Sequence, residues 1–336
     1  MRAVRFTGVG AFGLADVSRP EPGPDEVLVR VEASGICGTD RHVFLGEFPS
    51  APPVTLGHEF CGIVERRGKG VRGIELGMRV ACNPNIHCGR CDMCRLGRVN
   101  LCRNLSAIGI HRDGGFAEYV AMPQDQAHVL PDAVPPDHGA FCEPVACCMH
   151  GVDLAAIPAG GSVIVLGGGV IGLLTVQLAR LAGARHVVLS TRQAVRRRLA
   201  ETMGATATVD PGTGDVVAAL TEATGGGADV VFECAGVADT VAQAVRVTRP
   251  GGTAVILGVM PRGASVAFEP FDLLVREVRV QGSFINPFVT ERAAALVASG
   301  ALRLAPLITS RIGLADVAAV VAHPAAAGEV KVMVIP

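Results

Sequence analysis

At 336 residues the chain exceeds the usual size of one compact core, so two domains are expected. A hydrophobic fraction of 49% and a charged fraction of 18% describe an ordinary globular protein and exclude a disordered one. The formal net charge of -1 gives no support to a nucleic acid or an anionic membrane as the main partner.

No segment has the pattern of a signal peptide or a membrane anchor. The first residues, MRAVRFTGVG, lack an apolar core, which predicts a cytoplasmic protein. Only the stretch from Gly160 to Leu178 resembles a membrane span, and its clustered glycines favour a strand, a tight turn and a buried helix instead.

Residues 1–150 are predicted to form a mostly β domain. Short apolar runs, such as 26–32, 61–66 and 78–81, alternate with loops rich in Gly and Pro. The pattern changes at about Gly151, where we expect a domain boundary.

Residues 151–286 alternate apolar runs with helical stretches. The predicted strands begin at Ser162 and at His186 and continue with 229–236, 253–259 and 278–284. Continuous apolar runs separated by helices indicate a parallel sheet covered on both faces, which is a doubly wound α/β domain of the Rossmann type. Residues 287–336 are too short to fold alone and are expected to return to the first domain.

A glycine-rich turn follows the first strand of the second domain and opens a helix. It reads Gly167-Gly168-Gly169-Val170-Ile171-Gly172 and fits the dinucleotide-binding pattern G-x-G-x-x-G. The glycines Gly167, Gly169 and Gly172 would allow a tight turn, close approach of the pyrophosphate and helix packing, and Val170 and Ile171 would begin the helix. The alternative is a packing turn without a ligand.

The end of the second strand distinguishes NAD from NADP. An NAD site places an acid there, whereas this chain has Ser190-Thr191-Arg192, followed by Arg196 in an arginine run that ends at Arg198. Hydroxyls and guanidinium groups can bind a 2′-phosphate that a carboxylate would repel, which predicts a preference for NADP(H). The alternative is that some of these arginines only cover a solvated helix face.

Four closely spaced cysteines predict a structural zinc site. Their spacing is C-x2-C-x2-C-x7-C, and four thiolates leave no ligand position open. The gap before the last cysteine and the Arg103 that follows it disfavour an iron–sulfur cluster. The four ligands, within a lobe at about 82–105, are Cys88, Cys91, Cys94 and Cys102.

A second set of ligand types is dispersed along the first domain. Cys37 lies in GICGTDRH, His58 and Glu59 lie in LGHEF, and Glu143 lies in FCEPVACC. Each residue alone has an ordinary explanation as a core or surface residue. Together, a thiolate, an imidazole and carboxylates are a plausible catalytic zinc set with room for a substrate.

These motifs occur in the order seen in the zinc-dependent medium-chain dehydrogenase/reductase superfamily. The chain most resembles the sorbitol-type polyol branch, which also includes threonine dehydrogenases. The resemblance covers essentially the full length. It implies a GroES-like catalytic domain completed by residues 287–336, with an active-site cleft between that domain and the Rossmann domain.

The resemblance also implies roles for individual residues. Cys37, His58 and Glu59 would bind the catalytic zinc, and Glu143 would bind it directly or through water. Asp40 would orient the histidine ligand, and Thr39 and His42 would relay the substrate's hydroxyl proton to solvent. Most sorbitol-type relatives carry Asp where this chain has Thr191, which puts NAD in doubt.

The expected reaction is hydride transfer between NADP(H) and a secondary alcohol or ketone, with a polyol or sugar alcohol as substrate. A threonine-type amino alcohol or a cyclic polyol, possibly with NAD, is the alternative. A homodimer or homotetramer is implied by the relatives. A zinc-lobe nucleic-acid binder, a zinc-independent reductase and a non-catalytic binding protein are less consistent with the near-zero charge and the complete ligand set.

Overall fold

The computed structural model describes residues 1–336 and divides into two units. Unit 1 comprises residues 1–146 and 285–336, and unit 2 comprises residues 147–284. The predicted boundaries, at 150/151 and 286/287, lie close to these. None of the helices combines the length and the apolar character that crossing a bilayer requires.

The first 146 residues form short strands and short helices, as their frequent Gly and Pro predict. The elements are β1 (Arg2–Gly8), β2 (Ala11–Asp16), β3 (Glu26–Gly35), α1 (Gly38–Phe44), β4 (Val54–Thr55), β5 (Glu59–Arg67), β6 (Arg79–Cys82), β7 (Asn85–Ile86), α2 (Asp92–Arg95), β8 (Ser106–Ala107), β9 (Tyr119–Pro123), β10 (Ala127–Leu130), α3 (Pro136–Gly139) and α4 (Cys142–Ala155). Helix α4 was not predicted, and it runs through Gly151, where the sequence pattern changes.

Unit 2 is a six-stranded parallel sheet with intervening helices. Its strand order is β13-β12-β11-β14-β15-β16, which is the 3-2-1-4-5-6 order of a doubly wound fold, so the predicted fold class is confirmed. The elements are β11 (Ser162–Leu166), α5 (Val170–Leu181), β12 (His186–Ser190), α6 (Ala194–Thr202), β13 (Ala207–Val209), α7 (Val216–Thr224), β14 (Ala228–Glu233), α8 (Ala238–Val247), β15 (Thr248–Ile256), α9 (Pro270–Arg276) and β16 (Arg279–Gly282).

One strand of unit 2 departs from the prediction of a sheet covered on both faces. All four residues of β16 are exposed, and β16 pairs only with β15 at the edge of the sheet. The apolar run 278–284 therefore marks an uncovered edge strand. A central and an edge strand can share the same composition, because only the pairing distinguishes them.

The last 52 residues belong to unit 1 together with residues 1–146. They contain α10 (Thr290–Ala298), β17 (Ile308–Ile312), α11 (Val317–Ala322) and β18 (Lys331–Val334). Strand β18 pairs antiparallel with β3 and parallel with β17, in a sheet ordered β10-β6-β5-β3-β18-β17, with β9 also paired to β3. The chain's terminal strand is thus a neighbour of the strand that leads into Cys37.

Two apolar clusters hold the strands of unit 1. One contains alternate residues of β3 with Phe60 and Val80, as expected for a half-buried strand of period two. The other joins Val43 of α1 and Leu56 to Val332 of β18. These clusters fix the ends of β3, β5 and β18, and the candidate metal ligands lie at those ends.

Candidate functional site

Strand pairing brings together three of the dispersed candidate ligands. Gly35 at the end of β3 pairs with Glu59 at the start of β5, so Cys37, two residues further on, lies beside His58 and Glu59. One ligand atom from each of Cys37, His58 and Glu59 lies within 4.8 Å of the others. The histidine and the glutamate are buried, and Cys37 is half-buried.

Asp40 hydrogen-bonds the turn that carries the cysteine and lies next to the histidine. Its Oδ2 accepts a 2.8 Å hydrogen bond from the Cys37 backbone N–H, and its Oδ1 lies 3.5 Å from His58 Nδ1. Nε2 is therefore the ring nitrogen available to a metal. Burial opposes a proton on His58, but the Asp40 carboxylate and Cys37 outweigh burial and raise the pKa of His58 well above its usual value.

Lys331 is a site residue that the sequence analysis missed. It is 1% exposed, and its Nζ donates to Glu59 Oε2 at 2.5 Å and to the Ile36 carbonyl at 3.0 Å. Burial disfavours the ammonium, but the Glu59 carboxylate outweighs burial and raises the pKa of Lys331. The lysine therefore stays charged inside the candidate metal site.

Glu143 is not part of the three-residue group. It lies in the first turn of α4 and is 7% exposed. It interacts electrostatically with Lys331 and with Cys82. Of the two binding modes expected for this carboxylate, binding through water is the more consistent with this placement.

The donor set suits a zinc ion. A thiolate, an imidazole and a carboxylate are three zinc ligands of different types, and three protein ligands leave a fourth position for a substrate oxygen. A fourth protein ligand would fill the coordination position that the substrate oxygen needs.

The candidate proton-relay residues lie on α1. Thr39 Oγ1 is 3.7 Å from Cys37 Sγ, so its hydroxyl lies next to the ligand group. His42 is three residues further on, which places both side chains on one face of the helix. His42 Nδ1 is 2.6 Å from Glu47 Oε2, and both side chains reach the surface. Glu47 is a second site residue that no sequence motif indicates.

The four clustered cysteines converge on one point. Their Sγ atoms all lie within 4.8 Å of one another, and the contacts Cys91–Cys94, Cys88–Cys94 and Cys91–Cys102 measure 3.5, 4.0 and 4.0 Å. A tetrahedron with Zn–S bonds of 2.3 Å has sulfur–sulfur edges of about 3.8 Å. The spacing therefore fits zinc, and all four cysteines are free of disulfides.

The thiols of this cluster need a cation to ionise together. Backbone N–H groups of Arg90 and Cys91 lower the pKa of Cys88 to about 6. Desolvation and the neighbouring Cys91 raise the pKa of Cys94 to about 12. A divalent ion at the centre would stabilise the remaining thiolates, as structural zinc does.

The glycine turn of unit 2 has the geometry that a dinucleotide requires. Gly167 adopts a left-handed φ of +109°, and a Cβ on Gly172 would lie 1.9 Å from the Gly167 carbonyl oxygen. Gly169 is the N-cap of α5, so the N–H groups of Val170 and Ile171 in the first turn lack helical partners and could bind a pyrophosphate.

The end of β12 carries hydroxyls and no carboxylate. Ser190 and Thr191 are largely buried, and a Cβ on Gly168 would lie 2.8 Å from Thr191 Cγ2, so this threonine touches the glycine turn. Arg192 is exposed and Arg196 is half-buried at the start of α6. These are the positions where a 2′-phosphate would be bound.

Arg197 has a structural function instead. Its Nη1 donates to the carbonyls of Thr191 and Arg192 at 2.7 and 3.0 Å, and it forms an ion pair of 2.9 Å with Asp210. Arg197 thus stabilises the backbone conformation at the end of β12. Arg197 is therefore one member of the arginine run whose guanidinium contacts the protein itself.

Comparison with known proteins identifies the family. The model of the alcohol dehydrogenase GroES-like domain matches residues 23–132, and the model of the zinc-binding dehydrogenase family matches residues 170–299. The L-threonine 3-dehydrogenase of Pyrococcus abyssi is 35% identical over 90% of this chain and 88% of its own. The sorbitol dehydrogenase of Halalkalibacterium halodurans is 36% identical over 82% of this chain and 81% of its own.

A solved structure shows a nearer relationship. A zinc-binding dehydrogenase from Sinorhizobium meliloti 1021, crystallised with NADP, is 64% identical with a TM-score of 0.98, over 100% of this chain and 99% of that one. The chain therefore belongs to the zinc-dependent medium-chain dehydrogenase/reductase superfamily. It is an enzyme of the alcohol and polyol dehydrogenase class, as predicted, and its substrate is a small molecule.

Proposed function

We propose that this enzyme transfers a hydride between NADP(H) and a secondary alcohol of a polyol or sugar alcohol, with two zinc ions per subunit. The proposal rests mainly on the group of Cys37, His58 and Glu59, whose ligand atoms lie within 4.8 Å of one another. These three residues would hold the catalytic ion, and the four-cysteine cluster would hold the structural one.

The residues around the catalytic group bind, orient and move a proton. A zinc ion there supplies a Lewis acid for the substrate oxygen, and the nicotinamide supplies or accepts the hydride. Asp40 keeps His58 in the orientation that ligation needs. The Thr39 hydroxyl would accept the substrate's hydroxyl proton while giving up its own toward His42, and His42, bonded to the exposed Glu47, would pass a proton to solvent.

The preference for NADP is supported by the end of β12. Thr191 and Ser190 provide hydroxyl donors, and Arg192 and Arg196 add positive charge where an NAD site would carry an acid. The relative from Sinorhizobium meliloti, 64% identical, was crystallised with NADP. Both observations favour the phosphorylated cofactor.

A polyol fits the carboxylates beside the catalytic group. Glu59 is committed to Lys331 and the metal, so Glu143 would accept hydrogen bonds from substrate hydroxyls next to the reacting carbon, which a simple alcohol does not have. The sorbitol dehydrogenase at 36% identity supports this class. The second candidate is a threonine-type amino alcohol, favoured by the threonine dehydrogenase at 35% identity and by the attraction of these acids for an ammonium group.

We infer that the enzyme is a homo-oligomer assembled through the edge of its parallel sheet. Strand β16 is unpaired on its outer side, and the apolar side chains of Val280, Phe271 and Leu274 are 44, 68 and 73% exposed. Proteins normally cover such edges and patches. Sedimentation of the wild type and of Val280→Lys should give a dimer or larger species and a smaller species, respectively.

Initial rates with purified, zinc-replete enzyme test the proposed reaction. The substrate panel comprises sugar alcohols, cyclic polyols, threonine and simple secondary alcohols, each with NADP and with NAD. The proposal predicts the highest kcat/KM for a polyol with NADP. Turnover of threonine alone would select the second candidate, and turnover with NAD alone would contradict the assignment of the β12 end.

A further inference from the structure

The buried lysine at the start of β18 has no function in the reaction derived above. Lys331 lies in a strand whose other residues are apolar and buried, between β3 and β17. Its ammonium contacts the Glu59 carboxylate at 2.5 Å and the Ile36 carbonyl at 3.0 Å. A fully buried charge requires a specific partner, because desolvation penalises it heavily.

The partner of this lysine is itself a candidate metal ligand. Lys331 occupies Oε2 of Glu59, which leaves Oε1 for a metal. A Cβ on Gly35 would lie 2.3 Å from Glu59 Oε2 and 3.4 Å from Lys331 Cδ, so the pair is packed tightly beneath the end of β3. The backbone thus leaves room for this contact and for little else.

The lysine also influences the charge of the whole ligand group. It interacts electrostatically with Glu59, Cys37 and Glu143, which carry three negative charges when ionised. A divalent cation neutralises two of them, and the ammonium neutralises the third. A fixed positive charge next to a metal also weakens the binding of that metal by repulsion.

We propose that Lys331 is a positioning residue that holds one oxygen of Glu59 and so limits how strongly this carboxylate binds the catalytic metal. With Glu59 held in this way, a metal bound there would keep a position for the substrate oxygen. The inference rests on the proposed catalytic metal site and adds a residue that sets the strength of that site. The alternative is that Lys331 has only a structural function, which is to join β18 to β3 and β5.

Two substitutions should change metal affinity in opposite directions. Lys331→Met removes the competing ammonium and the repulsion, so Glu59 can bind with both oxygens and the apparent zinc affinity should rise by about tenfold or more. Lys331→Arg presents a fork that can engage both carboxylate oxygens, so the affinity should fall below that of the wild type. Lys69→Met, at the only other lysine and on the surface, is the matched control.

Competition with a chromophoric chelator measures the affinity, and the visible bands of the cobalt-substituted enzyme report the coordination number. The proposal predicts tighter binding and weaker bands for Lys331→Met, weaker binding for Lys331→Arg, and no change for Lys69→Met. A zinc affinity of Lys331→Met equal to or below that of the wild type would show that the lysine has only a structural function. Should that variant fail to fold, wild-type affinity in Lys331→Arg would overturn the proposal.

The two proposals can fail separately. A wild-type enzyme that binds zinc only at the four-cysteine cluster would overturn the proposed catalytic site and this inference with it. Two zinc ions in the wild type with unchanged affinity in the variants would overturn this inference alone.

Discussion

Replacing Thr191 by aspartate should convert the enzyme from NADP to NAD. Thr191 is 9% exposed, touches the glycine turn at Gly168, and is held by a 3.1 Å hydrogen bond from its N–H to the Val209 carbonyl. An aspartate at this position brings a carboxylate to the ribose and replaces a hydroxyl donor. The arginine contacts on α6 are unchanged, so the variant isolates the effect of one side chain.

The size of the effect follows from two terms. Loss of a charge-assisted hydrogen bond to the phosphate costs about 1.5 kcal/mol, and repulsion of a partly solvated phosphate costs about as much again. A total of about 3 kcal/mol corresponds to a roughly 100-fold fall in kcat/KM for NADP. A new bond from the aspartate to the ribose hydroxyl should raise kcat/KM for NAD by about tenfold.

Initial rates with the best polyol, at varied NADP and NAD, give both ratios. Thr191→Ser retains the hydroxyl and should keep most of the NADP preference. Zinc content and Tm should stay at wild-type values in both variants, because Thr191 belongs to unit 2 and all the candidate zinc ligands belong to unit 1. An unchanged NADP preference in Thr191→Asp would refute the assignment of the phosphate to the end of β12.

Three further substitutions test the structural zinc, the proton path and the β12 clamp. Cys91→Ser should lower zinc content by about one ion per subunit and lower Tm, measured by metal analysis and calorimetry, while Cys234→Ser, at a half-buried cysteine outside both ligand groups, should retain both ions. Thr39→Ala should lower kcat by about 100-fold, the usual size of a general acid–base contribution, with little change in the Kd for NADP; wild-type kcat would exclude its hydroxyl from the relay. Arg197→Ala removes three contacts and should lower the free energy of unfolding by about 1–3 kcal/mol in urea, whereas exposed Arg198→Ala should leave it unchanged.

The motifs that could be predicted from sequence are those whose residues lie close together along the chain. Strand, turn and helix follow one another between Ser162 and Leu181, so the glycine pattern could be placed on its elements directly. The four cysteines likewise lie within one lobe, and their spacing alone indicates a tetrahedral site. The dispersed group of Cys37, His58 and Glu59 needed the family resemblance, because strand register brings it together.

The features that could not be predicted depend on long-range pairing. Lys331 is 272 residues from Glu59, and only the pairing of β18 with β3 places it in the site. One signal was available in the sequence. The chain has only two lysines and 28 arginines, and Lys331 lies within an otherwise apolar strand. The structural function of Arg197 depended on the rotation of α6, and the exposure of β16 depended on its position in the sheet.

The most direct test of the proposed function follows activity through removal and return of the catalytic zinc. Zinc content and initial rates of NADPH formation with the best polyol are measured on the wild type, after mild chelation, and after zinc is added back. We predict that the first ion lost abolishes activity while the four-cysteine ion remains, that added zinc restores the rate, and that Cys37→Ser holds one ion and has no measurable activity. Full activity in enzyme that retains only the four-cysteine zinc would contradict catalysis at Cys37, His58 and Glu59.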